Sequence, residues 1–236
     1  MTNYYPIFVD MDGAEVLVVG GGAVAHRKIE TLLEYGAVVN VVSRKLHPAL
    51  KLLLAEGKLR MLGSEFEPSQ LNGIRMVIAA TDDKETNRKV SAAARERGLL
   101  VNAVDQPADC NFIVPAIVRR GALTIAVSTS GNSPALAARI RKQIEKSFGQ
   151  EYESYLAMLG RVRRVLLKLE LTPEENARIF HELVEGGLHE ALKAGDRRQV
   201  ENELRRVLPQ DIDVDNLCIP FFQSPDISGK HGGTLK

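Results

Sequence analysis

The chain contains no tryptophan, and aromatic residues make up only 5% of it. So few rings leave little on which the bases of a single-stranded nucleic acid would stack. A surplus of one charge is also missing, since 31 Lys and Arg stand against 30 Asp and Glu for a net charge of +1. The basic excess expected of a nucleic-acid-binding chain is therefore absent. Cysteine is scarce: Cys110 and Cys218 lie far apart and form no C-x-x-C pair. That argues against a disulfide scaffold and a cysteine-built zinc site, and a cytoplasmic setting is expected. No apolar run approaches the ~18–20 residues of a membrane-spanning helix. Residues 1–10 have neither the basic region nor the long apolar stretch of a secretory signal. The five histidines (His26, His47, His181, His189 and His231) show no metal-ligand spacing, so no resident metal site is expected.

What is present is the balance of an ordinary globular protein, 44% hydrophobic and 26% charged over 236 residues. Residues 1–112 alternate buried β-type runs with amphipathic helical stretches, which predicts an α/β domain with a Rossmann-like parallel sheet. Ile7–Val9 precedes a turn signal at Asp12-Gly13. Strands are expected at Glu15–Val19, Val38–Val42, Lys58–Met61, Met76–Ala80 and Leu99–Val104. Helices are expected at Val24–Glu34, Pro48–Ala55 and Lys84–Arg97, with Asp82 or Asp83 capping the last. Residues 113–148 form a small α+β segment: two β-type runs, Phe112–Val118 and Leu123–Ser128, then a helix from Pro134 to about Phe148. Residues 149–210 read as a helical domain, with a capping box at Thr172-Pro173-Glu174-Glu175. Residues 211–236 carry prolines, glycines and little periodicity, and read as a flexible tail.

The first candidate site is the run Gly20-Gly21-Gly22-Ala23-Val24-Ala25, directly after a buried strand and opening a helix. This is the G-x-G-x-x-A pattern in the context that dinucleotide binding requires. Gly20 permits the tight turn, and Gly22 lets a pyrophosphate approach the backbone. Ala25 allows the helix to pack closely on the strand. The free N–H groups of Ala23 and Val24 and the positive helix end attract phosphate. The acidic residue expected after the second strand, for the adenosine ribose of NAD, is replaced by Ser43-Arg44-Lys45. Ser43 can bond a ribose hydroxyl, while Arg44 or Lys45 would tolerate a 2′-phosphate, so these residues leave NAD and NADP open. Thr81 and Asp82 end another parallel strand beside the expected crevice. Asn102 and Val104 lie on the last expected strand, on the expected nicotinamide side.

Taken together, several stretches resemble the precorrin-2 dehydrogenase family, the N-terminal module of siroheme synthases. They are Tyr5-Pro6-Ile7-Phe8, Val18 through Lys28, Ala79-Ala80-Thr81-Asp82-Asp83, Asn102-Ala103-Val104-Asp105, Phe112-Ile113-Val114-Pro115, and Ser128-Thr129-Ser130-Gly131-Asn132-Ser133-Pro134. The resemblance covers residues 1–150 in order and spacing, and the helical remainder in character only. It implies NAD as cofactor rather than NADP, a homodimer formed through the segment around Phe112–Phe148, and a tetrapyrrole substrate. The implied reaction is oxidation of precorrin-2 to sirohydrochlorin, with Fe²⁺ insertion into sirohydrochlorin as a further activity of some members.

Asp105 matches the aspartate that the family uses in catalysis. Its place at the carboxyl end of a parallel strand, where open α/β sheets put their ligands, suits a base that takes a proton while the cofactor takes a hydride. Ser128, Thr129, Ser130, Gly131, Asn132 and Ser133 form a donor-rich turn into a helix, a natural seat for the substrate's carboxylates. Arg119, Arg120 and Arg139 can add charge-assisted contacts. Two other classes share part of this pattern. A nucleotide-sensing regulatory domain needs no catalytic aspartate, and a tetrapyrrole carrier would bind without oxidising.

Overall fold

Short runs of β-branched and apolar residues build the first sheet. In the computed structural model, which describes residues 4–222, they are β1 (Glu15–Val19), β2 (Val38–Val42), β3 (Leu59–Gly63), β4 (Met76–Ala79) and β5 (Leu100–Ala103). All neighbouring pairs are parallel, in the order β3-β2-β1-β4-β5. Strand β1 is central, with Val19 level with Val42 on one side and with Ala79 on the other. The chain winds outward from β1 to β3 and returns to β4, so the strand order reverses between β1 and β4. In open parallel sheets that reversal leaves a crevice at the carboxyl ends of the strands.

Alternation along β1 feeds two cores. Val16 and Val18 pack with Ala25 and Ile29 of α1 (Ala23–Glu34) and Leu50 of α2 (Pro48–Ala55). Leu17 and Val19 face the opposite layer, with Val90 and Ala94 of α3 (Lys84–Glu96). A strand covered on both faces must be apolar throughout, which is why Val16–Val19 shows no polar break. The expected Lys58–Met61 strand lies one residue later at its start and two at its end. The Ile7–Val9 run is not a strand. It follows Pro6, which lacks an N–H for a ladder, and leaves Ile7 and Phe8 exposed.

The chain divides between Val114 and Pro115. In the second unit, β6 (Ala116–Arg120) and β7 (Leu123–Val127) form an antiparallel hairpin. The expected run from Phe112 does not begin there, because Asn111 and Phe112 are tied back to β5. Asn111 Oδ1 accepts from Val101 N at 2.7 Å, and Phe112 O accepts from Asn102 Nδ2 at 3.2 Å. The hairpin leads into α4 (Pro134–Ser147), capped by Ser133. There follow α5 (Glu151–Leu166), α6 (Pro173–Glu185), α7 (Leu188–Ala194), α8 (Arg197–Val207) and α9 (Val214–Phe222). Met158, Val162, Leu183, Leu188 and Leu204 form their shared core. The capping box of α6 is made as expected, with Glu175 N donating to Thr172 Oγ1 at 3.2 Å and Thr172 N to Glu175 Oε2 at 2.8 Å.

Helix α9 corrects the expectation of a flexible segment from residue 211. Val214, Leu217 and Cys218 fall on one face and are buried in the helical core, and Arg205 of α8 bonds Asp215 at 2.8 Å. Residues 223–236, the rest of that expected tail, lie outside the described residues. Burial, and next the Glu201 carboxylate, push the Cys218 thiol up to about 11. Thiolate is the reactive form, so Cys218 should resist a thiol reagent at pH 8 in the native protein. Labelling should require unfolding, and prompt native labelling at this position by mass spectrometry would contradict the packing of α9.

Candidate functional site

The crevice between β1 and β4 is a real cleft of about 790 Å³. Its floor is the turn after β1, and its walls are the segments that follow β2, β3 and β4. Each glycine of the turn has a different cause. Gly20 has φ +125°, and a Cβ there would stand 2.2 Å from Ala80 O. A Cβ on Gly21 would meet Lys45 O at 2.3 Å and Ser43 Oγ at 2.5 Å. The protein itself therefore demands these two. Gly22 has an ordinary backbone (φ −82°), and a Cβ there would meet nothing within 4 Å. Nothing in the fold requires glycine at this position. What it leaves is an open approach to the start of α1.

That helix start is also uncapped. Gly22 offers no side chain, and α1 has no side-chain cap, whereas α3 across the cleft is capped by Asp83, which accepts from Glu85 N and Thr86 N. The first N–H groups of an uncapped helix are unmet donors at the positive end of its dipole. Open space, free donors and positive potential coincide, which is the fit that a pyrophosphate needs.

On one wall, Ser43, Arg44 and Lys45 line the cleft, joined by Leu46, His47, Ser64, Glu65 and Phe66. The Ser43 hydroxyl is partly used, donating to Lys45 O at 2.7 Å. Arg44 Nη2 bonds Glu65 Oε1 at 2.7 Å. His47 holds the turn from behind: its N–H donates to Gly21 O at 2.7 Å, and its Nδ1 caps α2 by accepting from Ala49 N.

On the opposite wall, Thr81, Asp82 and Asp83 follow β4. The sequence left the capping of α3 between Asp82 and Asp83, and it falls to Asp83. The Thr86 hydroxyl, and next the Glu85 N–H, hold the Asp83 carboxyl below the usual range. Asp82 thus remains exposed at the cleft. Lys89, on the same rim, pairs with Glu85 at 2.9 Å, and that hydrogen bond raises its ammonium above the usual value. Thr81 is fixed by a residue that the sequence reading missed, Asn87. Buried on α3, its Oδ1 accepts from Thr81 N (3.1 Å) and Thr81 Oγ1 (2.7 Å), while its Nδ2 donates to Thr81 O (3.0 Å). The signal was an asparagine on the helix face that otherwise carries Val90, Ser91 and Ala94.

Asn102 and Val104 do not line this cleft. The Asn102 amide bonds Phe112 O, and the Val104 N–H bonds Ala79 O at 2.9 Å, extending the ladder past β5. The next residue, Asp105, is exposed and has φ +58°. Ser130 has φ +52°, and these are the only non-glycine residues with positive φ among the described residues. Sparsely populated backbone of this kind gathers at functional sites.

In the second unit, Ser128–Ser133 forms a tight turn. Ser128 Oγ accepts from Ser130 N, Thr129 Oγ1 from Ser133 N, and Ser133 Oγ from Leu136 N. Ser130, Gly131 and Asn132 stand exposed at its tip. Arg120 is structural, since its guanidinium satisfies carbonyls at the end of α4, Phe148 O at 3.0 Å and Glu145 O at 3.5 Å. Arg139 lies on an exposed face of α4 with Lys142 and Lys146. Among the described residues there is no cluster of three or more His, Cys, Asp or Glu able to hold a metal, and no helix is long and apolar enough to cross a membrane.

The sheet order, glycine turn and uncapped helix define a dinucleotide-binding α/β protein. In agreement, residues 7–116 match the family described as "Putative NAD(P)-binding", and residues 120–147 match "Sirohaem biosynthesis protein central". A siroheme synthase of Methylobacillus flagellatus is 41% identical over 203 residues, covering 86% of this chain and 44% of the relative. Siroheme synthase 1 of Cronobacter sakazakii is 41% identical over 206 residues, covering 87% of this chain and 44% of the relative. A solved structure described as "SirC, precorrin-2 dehydrogenase" superposes with a TM-score of 0.73 at 26% identity, covering 86% of this chain and 98% of that one. The chain is homologous to the siroheme synthases, and it spans a little under half the length of the curated relatives it matches.

Proposed function

We propose that this protein oxidises precorrin-2 to sirohydrochlorin with NAD⁺. The observation that carries the reading is Gly22: a glycine that the fold does not need, open to an uncapped helix start, in a chain homologous to siroheme synthases. The likeness to a precorrin-2 dehydrogenase over nearly the whole of that protein supports the choice of substrate.

Bound NAD⁺ would supply a hydride acceptor. The chain's own part begins with the N–H groups of Ala23 and Val24, which hold the pyrophosphate. The clasp of Asn87 on Thr81 keeps the opposite wall in register. Loss of a hydride leaves a proton to be removed from the substrate, and Asp105 is the proposed acceptor of it. The exposed donors of Ser128, Ser130 and Asn132 are suited to the carboxylates of the tetrapyrrole. Fe²⁺ is proposed as a second substrate, with Asp105 accepting pyrrole protons as the metal enters. A second copy of this chain is the proposed partner of the β6–β7 hairpin, because two strands alone make a marginal sheet.

The test is an anaerobic incubation with precorrin-2 generated in situ, NAD⁺ or NADP⁺, and then Fe²⁺. The expected result is sirohydrochlorin with NAD⁺ and slower or no formation with NADP⁺. Metal-dependent loss of sirohydrochlorin above a protein-free control would support the second activity. No oxidation with either dinucleotide would overturn the reading in favour of a nucleotide sensor or a tetrapyrrole carrier.

A further inference from the structure

The residues after β2 leave an unanswered question in the sequence: an arginine and a lysine stand where an NAD-binding chain usually has a carboxylate. The structure supplies the carboxylate from a neighbouring strand. Glu65 follows β3 and reaches Arg44 with Oε1 2.7 Å from Nη2, and both line the cleft. We propose that Glu65 makes this cleft select NAD over NADP, acting through Arg44. The inference rests on the dinucleotide reading above and names the residues that decide which dinucleotide is taken.

The pair is held from both sides by backbone. The parallel ladder continues past the end of β2, where Ser43 N donates to Gly63 O at 3.1 Å. Arg44 is the next residue on one strand, and Glu65 is two residues on along the other. The main chain at Glu65 is fixed in turn by Gln70, whose Nε2 donates to Glu65 O at 3.3 Å and whose Oε1 accepts from Glu67 N at 3.0 Å. These anchors place the two side chains within reach of each other.

Their exposure shows what the contact is for. Arg44 and Glu65 side chains are 76% and 68% exposed, and an ion pair so open to water adds little to stability. It does, however, decide the local charge. A 2′-phosphate carries about −1.5 to −2 charge at neutral pH and would need the Arg44 guanidinium to receive it. That guanidinium already has its anion, and the anion would repel the phosphate. A plain ribose hydroxyl meets no such obstacle, since a carboxylate engaged at one oxygen can still accept a hydrogen bond at the other. Lys45, in the same turn, is a second cation lining the cleft.

The test is calorimetric titration of NADH and NADPH into the wild type, Glu65→Gln, Arg44→Ala and the double variant. Both positions are exposed, so the variants should keep the wild-type circular dichroism. The wild type should prefer NADH. Glu65→Gln should tighten NADPH binding by about tenfold or more, the scale of a charge-assisted contact to phosphate, and should weaken NADH. Adding Arg44→Ala to Glu65→Gln should remove that gain. An unchanged NADH to NADPH ratio in Glu65→Gln would overturn the proposal. A gain that survives Arg44→Ala would overturn the role of the pair. A wild type that binds neither dinucleotide would overturn the dinucleotide reading itself, an outcome distinct from an unchanged ratio.

Discussion

Gly22→Asp should abolish dinucleotide binding while leaving the protein at least as stable as the wild type. The two halves of this expectation come from the same geometry. Gly22 is the N-cap of α1, with extended backbone (ψ −172°) and free space where a Cβ would sit. Aspartate is among the preferred residues at that position, because its carboxylate accepts from the helix N–H groups and favours the positive dipole end. The fold therefore gains a cap. The same carboxylate would occupy the donors meant for the pyrophosphate and repel its charge. Charge-assisted hydrogen bonds contribute about 1.5–3 kcal/mol each, so losing two predicts a fall in NADH affinity of at least about a hundredfold. Calorimetry and thermal melting check both halves. Unchanged affinity would refute the site, and a collapse in melting temperature would refute the account of Gly22. Gly20→Ala is the contrast, since its Cβ would collide with Ala80 O and the loss there should be one of folding.

Asp105→Asn should bind NADH within about threefold of the wild type yet lose at least a hundredfold in turnover, the range expected for removing a general base. Asparagine is the informative replacement because it tolerates left-handed backbone, as φ +58° requires. Alanine at this position would mix lost chemistry with backbone strain. The residue lies outside the cleft lining, which is why binding should be spared. Near-wild-type turnover in Asp105→Asn would remove Asp105 from the reaction.

The glycine turn, the five parallel strands and the capping box at Thr172 could be read from local pattern, because each is set by residues close together in sequence. What could not be read is held by distant contacts. Glu65 lies 21 residues from Arg44, and nothing near it in sequence marks it as part of the cleft. Its place depends on how β3 aligns with β2, which includes a register shift at Val41/Val42. Asn87 shares the helix face of Val90, Ser91 and Ala94, but the partner it clasps, Thr81, is set by the packing of α3 against the end of β4. Phe112 carries a β-type neighbourhood, yet its carbonyl is spent on Asn102 and the strand starts four residues later. Helix α9 did carry a signal, with Val214, Leu217 and Cys218 at helical spacing, but Pro220 and its short length masked it. Asp82 and Asp83 were indistinguishable as caps until the backbone bonds of Asp83 separated them.

The central claim is that the cleft and Asp105 together carry out a two-electron oxidation of a tetrapyrrole. The most direct measurement is the stoichiometry of a single anaerobic turnover, following NADH and sirohydrochlorin in the same sample with precorrin-2 as the limiting reagent. The account predicts one NADH for each sirohydrochlorin, lost in parallel in Gly22→Asp and Asp105→Asn. Sirohydrochlorin formed without NADH, or at equal rate in both variants, would contradict it.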